Sequence, residues 1–123
     1  MRILIIEDEP YARKELIRLL GETGCSMDVL ASLESVDDAV EWLQMNPMPD
    51  LILMDIQLAD GLSFEIFKKV KITAPVIFTT AYDQYAIQAF KVNSVDYLLK
   101  PIKLEELSHA LQKLDEVRNQ YAA

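Results

Sequence analysis

Glycine, cysteine and histidine are scarce in this chain, which has three glycines, one cysteine and one histidine among its 123 residues. Three scattered glycines do not provide the glycine-rich loop that many nucleotide-binding folds place around a phosphate. The single cysteine, Cys25, excludes an internal disulfide and a cysteine-based metal site, and it is typical of proteins in a reducing cytosol. The single histidine, His109, is far in sequence from the motifs described below and is interpreted as an exposed helical residue.

Basic residues and long apolar runs are also few. Lysine and arginine number 12 against 20 aspartates and glutamates, and the net charge of −8 argues against direct binding to nucleic acid or to an anionic membrane. No apolar run is long enough to span a bilayer, and the one after Arg2 is too short for a signal peptide, so we expect a cytoplasmic location. The 51% hydrophobic and 26% charged residues are typical of a globular domain, expected over residues 1–123.

Apolar runs of strand length alternate with segments of helical period along the chain. Strands are predicted near residues 2–6, 27–31, 51–54, 76–78 and 95–99. Because strands that alternate with helices form parallel sheets covered on both faces, we predict a doubly wound, flavodoxin-like (βα)5 fold of the α/β class. Its five-stranded parallel sheet is expected to have the strand order 2-1-3-4-5. Gly21 and Gly24 are predicted to end the first helix, and Ser35 is predicted to cap the second.

Polar side chains follow four of the predicted strands directly. They are Glu7 and Asp8 after the first strand, Asp55 after the third, Thr79 and Thr80 after the fourth, and Lys100 with Pro101 after the fifth. The carboxyl ends of parallel strands meet at one edge of a sheet, and this edge is where open α/β sheets bind ligands. The sequence therefore predicts that carboxylates, a hydroxyl and an ammonium group gather at one site.

Each of these residues also has a simpler explanation when taken alone. Glu7 and Asp8 suit a solvated turn or a helix cap, Thr80 an ordinary strand residue, and Lys100 the surface. Asp55 is harder to explain in this way, because a buried strand seldom ends in a charge. Their joint occurrence at successive strand ends favours a functional site.

Three converging carboxylates predict a cation. Glu7, Asp8 and Asp55 would repel one another, and at least one pKa would rise unless a cation intervened. Mg²⁺ suits oxygen ligands, a few carboxylates and a phosphate, whereas the absence of histidine and cysteine from these motifs disfavours zinc.

These motifs resemble those of the receiver domain of bacterial two-component response regulators. The resemblance covers essentially the whole chain. The motifs that carry it are Glu7-Asp8, Leu53-Met54-Asp55-Ile56, Thr80-Ala81 and Lys100-Pro101. The stretches at residues 80–90 and 95–101 resemble the LytR/AlgR subgroup, in which a LytTR DNA-binding domain follows the receiver. No such domain is present in this sequence, and residues 119–123 are interpreted as the possible start of a linker to it.

The resemblance implies a role for each matching residue at the acceptor site. Asp55 would be the phosphoacceptor nucleophile, and Lys100 would pair with a phosphoryl oxygen. Mg²⁺ would be the cofactor, held by Asp8 and Asp55, by Glu7 directly or through water, and by the backbone carbonyl of Gln57.

The resemblance also implies a switch. Thr80 would hydrogen-bond the phosphoryl group once it is attached, and Tyr97 matches the aromatic position whose rotamer reports activation. The face of the fourth helix, fifth strand and fifth helix would then change shape. The Lys100–Pro101 peptide bond is expected to be cis in this family, although sequence alone would favour trans.

The expected partners follow from the same family. They are a sensor histidine kinase and, after phosphorylation, a second copy bound through the switching face. The domain would be a signalling module of a transcription regulator rather than an enzyme, and DNA would be bound only by the missing LytTR domain. Tyr82, Tyr85 and Phe90 suit either a partner surface near the switch or partial packing against the sheet.

Two other functions are possible for this fold, and the sequence departs from the usual receiver motifs at two places. Some phosphatases use a strand-end aspartate nucleophile, but they usually have a second aspartate two residues later, where this chain has Gln57. A flavin-binding protein of similar fold is a third possibility, which the lack of a glycine-rich loop disfavours. Many receivers have a proline where Ala59 stands and a longer loop, and an aspartate where Glu7 stands, so the rim of the site and its metal contact are expected to differ.

Overall fold

The computed structural model describes residues 1–92 and 94–121, and within them strands alternate with helices as predicted, except that a short pair of strands that was not predicted lies between the third strand and the third helix. The strands are β1 (Arg2–Ile6), β2 (Asp28–Leu33), β3 (Leu51–Met54), β4 (Gln57–Leu58), β5 (Gly61–Leu62), β6 (Val76–Thr80) and β7 (Asp96–Leu99). The helices are α1 (Pro10–Glu22), α2 (Val36–Met45), α3 (Phe64–Lys69), α4 (Ala86–Lys91) and α5 (Leu104–Tyr121).

Five of the strands form one parallel sheet in the order β2-β1-β3-β6-β7. Strands β4 and β5 form a separate two-residue antiparallel hairpin. Counted within the large sheet alone, the order is 2-1-3-4-5, so the predicted fold class and strand order are confirmed. Strand β1 lies between β2 and β3, which places the ends of β1 and β3 side by side.

The central strands are buried on both faces, which explains their unbroken apolar runs. Alternate residues of each strand point to opposite faces of the sheet. Ile3, Ile5 and Leu53 pack with the apolar residues of α1 and α5. Leu4 and Met54 pack with those of α2, α3 and α4.

Helix α1 continues through Gly21 to Glu22, so the prediction that Gly21 ends the helix is wrong. Gly21 sits on the exposed side, and a solvent-facing glycine weakens a helix without breaking it. Thr23 follows as the C-cap, and its hydroxyl donates to the carbonyl of Leu20. Gly24 comes next with a φ of 77°, a conformation that glycine adopts without strain.

The N-terminus of α2 has two caps. Ser35 accepts a hydrogen bond from the backbone amide of Asp38, as predicted. Asp60, in the turn of the β4–β5 hairpin, accepts hydrogen bonds from the amides of Val36 at 2.7 Å and Asp37 at 3.1 Å. Burial acts to raise the pKa of Asp60, but these two bonds, together with its own backbone amide and the charge of Lys69, outweigh it and hold the pKa below its ordinary value. The loop after β3 is thereby tied to α2.

The last helix extends further than the sequence indicated. Helix α5 runs to Tyr121, so the first three of the residues interpreted as a linker are helical. Residues 122 and 123 lie outside the described residues, and the linker stays a prediction. Among the described residues, each helix is either too short or too polar to cross a bilayer.

Candidate functional site

Three carboxylates gather where β1 and β3 end. Asp55 follows β3, and its amide donates to the carbonyl of Ile6 at 2.9 Å, which holds it beside the Glu7–Asp8 pair. One carboxylate oxygen each from Glu7, Asp8 and Asp55 lie within 4.8 Å of one another. Glu7 is 2% exposed and Asp55 is 6% exposed, whereas Asp8 is half-buried. The structure thus brings together the three acidic residues that the sequence placed at neighbouring strand ends.

Lys100 reaches this cluster from the end of β7. Its Nζ lies 2.5 Å from Oε1 of Glu7 and 2.9 Å from Oδ2 of Asp55. Burial acts to lower the pKa of Lys100, but its hydrogen bonds to Asp55 and Glu7 outweigh that effect and hold the pKa above its ordinary value. The ammonium group therefore stays charged and is shared between two acids.

One lysine does not neutralise three acids. Burial is the largest influence on Glu7 and raises the pKa of its carboxyl group well above the ordinary value. The hydrogen bond from Lys100 opposes the rise, and repulsion from Asp55 adds to it. The sequence predicts a rise from repulsion alone, whereas burial of the carboxyl group is the larger cause here.

The Asp55 carboxylate is held in one orientation. Its Oδ1 accepts a hydrogen bond from the amide of Ile56 at 2.6 Å, and its Oδ2 accepts one from Lys100. Fixed orientation of a reacting group removes part of the entropic barrier to a group-transfer step. Glu7 is held similarly, since its Oε2 accepts from the amide of Glu9 at 3.2 Å.

The donor set fits a small, hard cation. Carboxylate oxygens from two adjacent strand ends lie close enough to share one ion, and Mg²⁺ is bound in proteins by few carboxylates together with water and phosphate oxygens. The backbone carbonyl of Gln57, two residues after Asp55, is the further ligand implied by the resemblance. A cation bound there would relieve the electrostatic repulsion among the three carboxylates.

The two predicted switch residues lie on β6 and β7. Thr80 ends β6 and is fully buried, and its hydroxyl accepts a hydrogen bond from the amide of Tyr82 at 3.4 Å. Tyr97 is half-buried, and its hydroxyl donates to the carbonyl of Tyr82. Both side chains therefore contact the same residue of the loop before α4. The Lys100–Pro101 peptide bond is cis.

The aromatic residues after β6 divide between packing and exposure. Tyr85 is half-buried, with its ring 6.2 Å from that of Phe64, and its hydroxyl accepts a hydrogen bond from the side-chain amide of Gln57 at 3.0 Å. Tyr82 and Phe90 are exposed, and His109 is exposed as predicted. The Gln57–Tyr85 contact was not expected, because sequence alone gives no sign that residues 28 positions apart meet.

A groove of about 410 Å³ opens beside the acidic cluster, between α1 and the segment after β7. Glu7 and Lys100 line its inner end. Leu16 and Ile102 contribute apolar surface, and Tyr11 stands at its rim with most of its side chain exposed. The groove therefore reaches the cluster at Glu7 and Lys100, on the α1 side.

The fold and the site together define a class of protein: a doubly wound α/β domain with an acidic, lysine-paired site at the carboxyl edge of its sheet. Residues 3–112 match the response regulator receiver domain family. Because that match covers most of the chain, the chain belongs to this family.

Curated relatives agree with this assignment. The chain is 42% identical over 116 residues to the sensory transduction protein LytT of Bacillus anthracis, covering 92% of this chain and 46% of that protein. It is 40% identical over 117 residues to the transcriptional regulatory protein LytR of Staphylococcus aureus, covering 93% and 47% respectively. The chain thus spans about half the length of these relatives.

Solved structures share the fold. The response regulatory domain of protein mrkE from Klebsiella pneumoniae superposes with a TM-score of 0.83 at 31% identity, covering 98% of this chain and 99% of that one. The receiver domain of a modulated diguanylate cyclase from Desulfovibrio desulfuricans superposes with a TM-score of 0.79 at 28% identity, covering 97% and 96%. The predicted family and fold are both confirmed.

Proposed function

We propose that this receiver domain accepts a phosphoryl group on Asp55 from a sensor histidine kinase, with Mg²⁺ as cofactor, and that the modification changes the surface formed by α4, β7 and α5. The observation that carries the proposal is the convergence of three carboxylates and Lys100 at one edge of the sheet. We assign the nucleophile to Asp55 because it matches the acceptor position that the family resemblance implies, and Lys100 and the amide of Ile56 hold its carboxylate in place.

The transfer itself requires little covalent chemistry from the protein. A carboxylate oxygen of Asp55 forms a bond to phosphorus as the bond between phosphorus and the donor breaks, and the donor leaves with the electron pair. Phosphoryl transfer depends mainly on positioning and on neutralising charge on the phosphoryl oxygens. Lys100 lies within 2.9 Å of Asp55 and can pair with one of those oxygens.

The acidic residues would serve the cation. Asp8 and Asp55 would bind Mg²⁺ through side-chain oxygens, Glu7 would assist directly or through water, and Gln57 would contribute its backbone carbonyl. A bound Mg²⁺ neutralises part of the negative charge where carboxylates and phosphoryl oxygens meet. Glu7 also keeps Lys100 in place through its 2.5 Å ion pair, so it acts on the ammonium group as well.

The domain is expected to gain one phosphoryl group when incubated with acetyl phosphate and Mg²⁺, because a reactive small donor needs only the acceptor site. Intact-mass measurement would show one HPO₃ added per chain. Adding a chelator before the donor should suppress the gain, since the acidic cluster would then repel the incoming phosphate. Equal labelling with and without chelator would contradict the role of Mg²⁺.

We infer that the domain is a signalling module and not a hydrolase. Its position two residues after Asp55 is Gln57, whose amide is engaged with Tyr85, so no carboxylate acts there as acid or base. The same preparation should leave a generic phosphate ester intact, and multiple turnover of such an ester would favour the phosphatase alternative.

The switch would begin at Thr80. A phosphoryl group carries about one and a half to two negative charges near neutral pH, and the Thr80 hydroxyl can donate to one of its oxygens. That movement would withdraw the hydroxyl from the amide of Tyr82, while Tyr97 holds the carbonyl of the same residue. Modification would therefore shift the loop that leads into α4, and one covalent event would bias a two-state element.

The surface that would change is apolar. Ile87 is 74% exposed and Phe90 is 85% exposed on α4, and Leu99 on β7 is also exposed. Exposed charged residues of both signs lie on or next to α4 and α5, including Lys91, Lys103 and Glu106. Such a surface suits a second copy of the domain, in which apolar side chains meet at the centre and opposite charges pair at the rim.

The beryllium fluoride mimic of the phosphoryl group is expected to convert the domain from monomer to dimer, because it would fix the switched form of this surface. Sedimentation velocity with and without the mimic measures the change. Phe90→Ser should prevent dimerisation, and Met45→Ser, which alters an exposed apolar residue on α2, should not. An unchanged monomer mass at high concentration would count against the dimer.

The parent protein is proposed to regulate transcription. The relatives named above are a sensory transduction protein and a transcriptional regulatory protein, and each is about twice as long as this chain. A LytTR domain following the receiver would bind DNA, and the acidic receiver, with its net charge of −8, would not. A cytoplasmic location follows from the same proposal.

A further inference from the structure

Both backbone groups of Glu7 are held by residues outside the acidic cluster. Its amide donates to the carbonyl of Leu33, at the end of β2, at 2.8 Å. Its carbonyl accepts a hydrogen bond from Nη1 of Arg13 at 3.0 Å. Because each peptide unit is planar, these two bonds fix the planes on either side of Glu7, and the second plane contains the amide of Asp8.

Arg13 connects three segments that meet near the site. It projects from α1, it donates to the loop between β1 and α1, and its Nη1 also lies 2.9 Å from Oε1 of Glu34, which follows β2. The Arg13 side chain is only 19% exposed, whereas that of Glu34 is 59% exposed. The guanidinium group is thus largely enclosed, with its charge paired at the outer end.

We propose that Arg13 is a positioning residue for the acidic cluster. Its guanidinium group bridges the carbonyl of Glu7 and the carboxylate of Glu34, and it thereby fixes the orientation of Asp8 for Mg²⁺. The proposal rests on the proposed function, since it concerns the same metal site. Arg13 acts on the backbone of Glu7, because its contact is with the carbonyl oxygen rather than with the carboxylate. Its effect is therefore expected on metal affinity, while the transfer step itself is unchanged.

The chain offers a matched control on the same helix. Arg18 also pairs with glutamates, but its partners, Glu15 and Glu22, belong to α1 itself. Arg13→Met and Arg18→Met each remove one guanidinium group from α1, and only the first removes a contact to the loop that carries Asp8. A general effect of lost charge or helix stability would appear in both variants.

Magnesium affinity is the decisive measurement. Calorimetric titration with MgCl₂ is expected to show roughly tenfold weaker binding by Arg13→Met, the order of loss seen when a residue that orients a metal ligand is removed. Arg18→Met should bind like the wild type. At saturating Mg²⁺ the labelling rate of Arg13→Met with acetyl phosphate should return to that of the wild type, because the groups that take part in transfer are intact.

Glu34 gives a second, milder variant that does not disturb the interior. Glu34→Gln should weaken Mg²⁺ binding roughly threefold, as expected for loss of a partly exposed ion pair. Since Glu34 acts through Arg13, the same substitution should have no further effect in an Arg13→Met background. Should Arg13→Met fail to fold, Arg13→Lys, which keeps the charge but has a shorter side chain without the planar guanidinium group, is expected to bind with intermediate affinity.

The outcomes separate this inference from the proposed function. If the wild type does not bind Mg²⁺, the proposed function fails. If the wild type binds and Arg13→Met or Arg13→Lys binds equally well, or if Arg18→Met weakens binding as much, only the positioning role is overturned. Additive effects of the Arg13 and Glu34 substitutions would likewise show that Glu34 does not act through Arg13.

Discussion

Replacing Asp55 with asparagine is expected to abolish labelling by acetyl phosphate. The amide oxygen of asparagine is a poor nucleophile and carries no charge for Mg²⁺ or for Lys100, so both the attacking group and one metal ligand are lost. Lys100 keeps its ion pair with Glu7, and removal of one buried carboxylate lessens repulsion in the cluster. The variant should therefore fold like the wild type, as circular dichroism can show, but gain no phosphoryl group, as intact mass can show.

Asp38→Asn is the control for this substitution. Asp38 lies on the exposed side of α2 and is not part of the carboxylate cluster, and its replacement makes the same chemical change. It should be labelled like the wild type. Undiminished labelling of the Asp55 variant, or labelling mapped to another residue in the wild type, would remove the basis of the proposed mechanism.

Replacing Phe78 with alanine is expected to lower the free energy of unfolding by about 3–5 kcal/mol, the usual cost of deleting a buried phenyl group. Phe78 is fully buried in β6, and its ring lies 5.6 Å from that of Phe64, 6.2 Å from that of Phe67 and 6.4 Å from that of Tyr97. Because small domains are stable by only about 5–15 kcal/mol, this is a large fraction of the total. Urea denaturation followed by circular dichroism measures it.

Phe90→Ala is the matched substitution at an exposed site. Phe90 is 85% exposed, so its truncation removes little buried area and should change the unfolding free energy by less than about 0.5 kcal/mol. A similar loss in both variants would mean that Phe78 does not occupy the core. Phe90→Ala should instead weaken dimerisation, since Phe90 lies on the proposed interface.

Most of the fold could be predicted because its signals are local and repeated. Apolar runs such as Leu51–Met54, separated by segments of helical period, indicate buried parallel strands without knowledge of long-range contacts. The main site was predictable for the same reason. A parallel sheet places the residues after its strands at one edge, so Asp8, Asp55 and Lys100 could be assigned to a common site from their positions alone.

The residues that support the site were not predictable in this way. Nothing in the sequence around Asp60 indicates a distant partner, yet it caps α2 through two backbone amides. Arg13 has the same sequence signal as any charged residue in a helix, yet it donates a hydrogen bond to the carbonyl of Glu7. Both contacts depend on which loops meet in space, and a single residue of a common type gives no periodic signal.

The sequence by itself determined the class of fold, the edge of the sheet where the candidate site lies and the residue types gathered there, because strand alternation and strand-end polarity are properties of short segments. Only the tertiary structure decided how Lys100 is shared between Glu7 and Asp55, why the pKa of Glu7 rises and which neighbours brace the cluster. Those features depend on distances of a few ångströms between segments far apart in the chain. Electrostatic and hydrogen-bond energies change steeply over such distances, so they are settled only when the chain is folded.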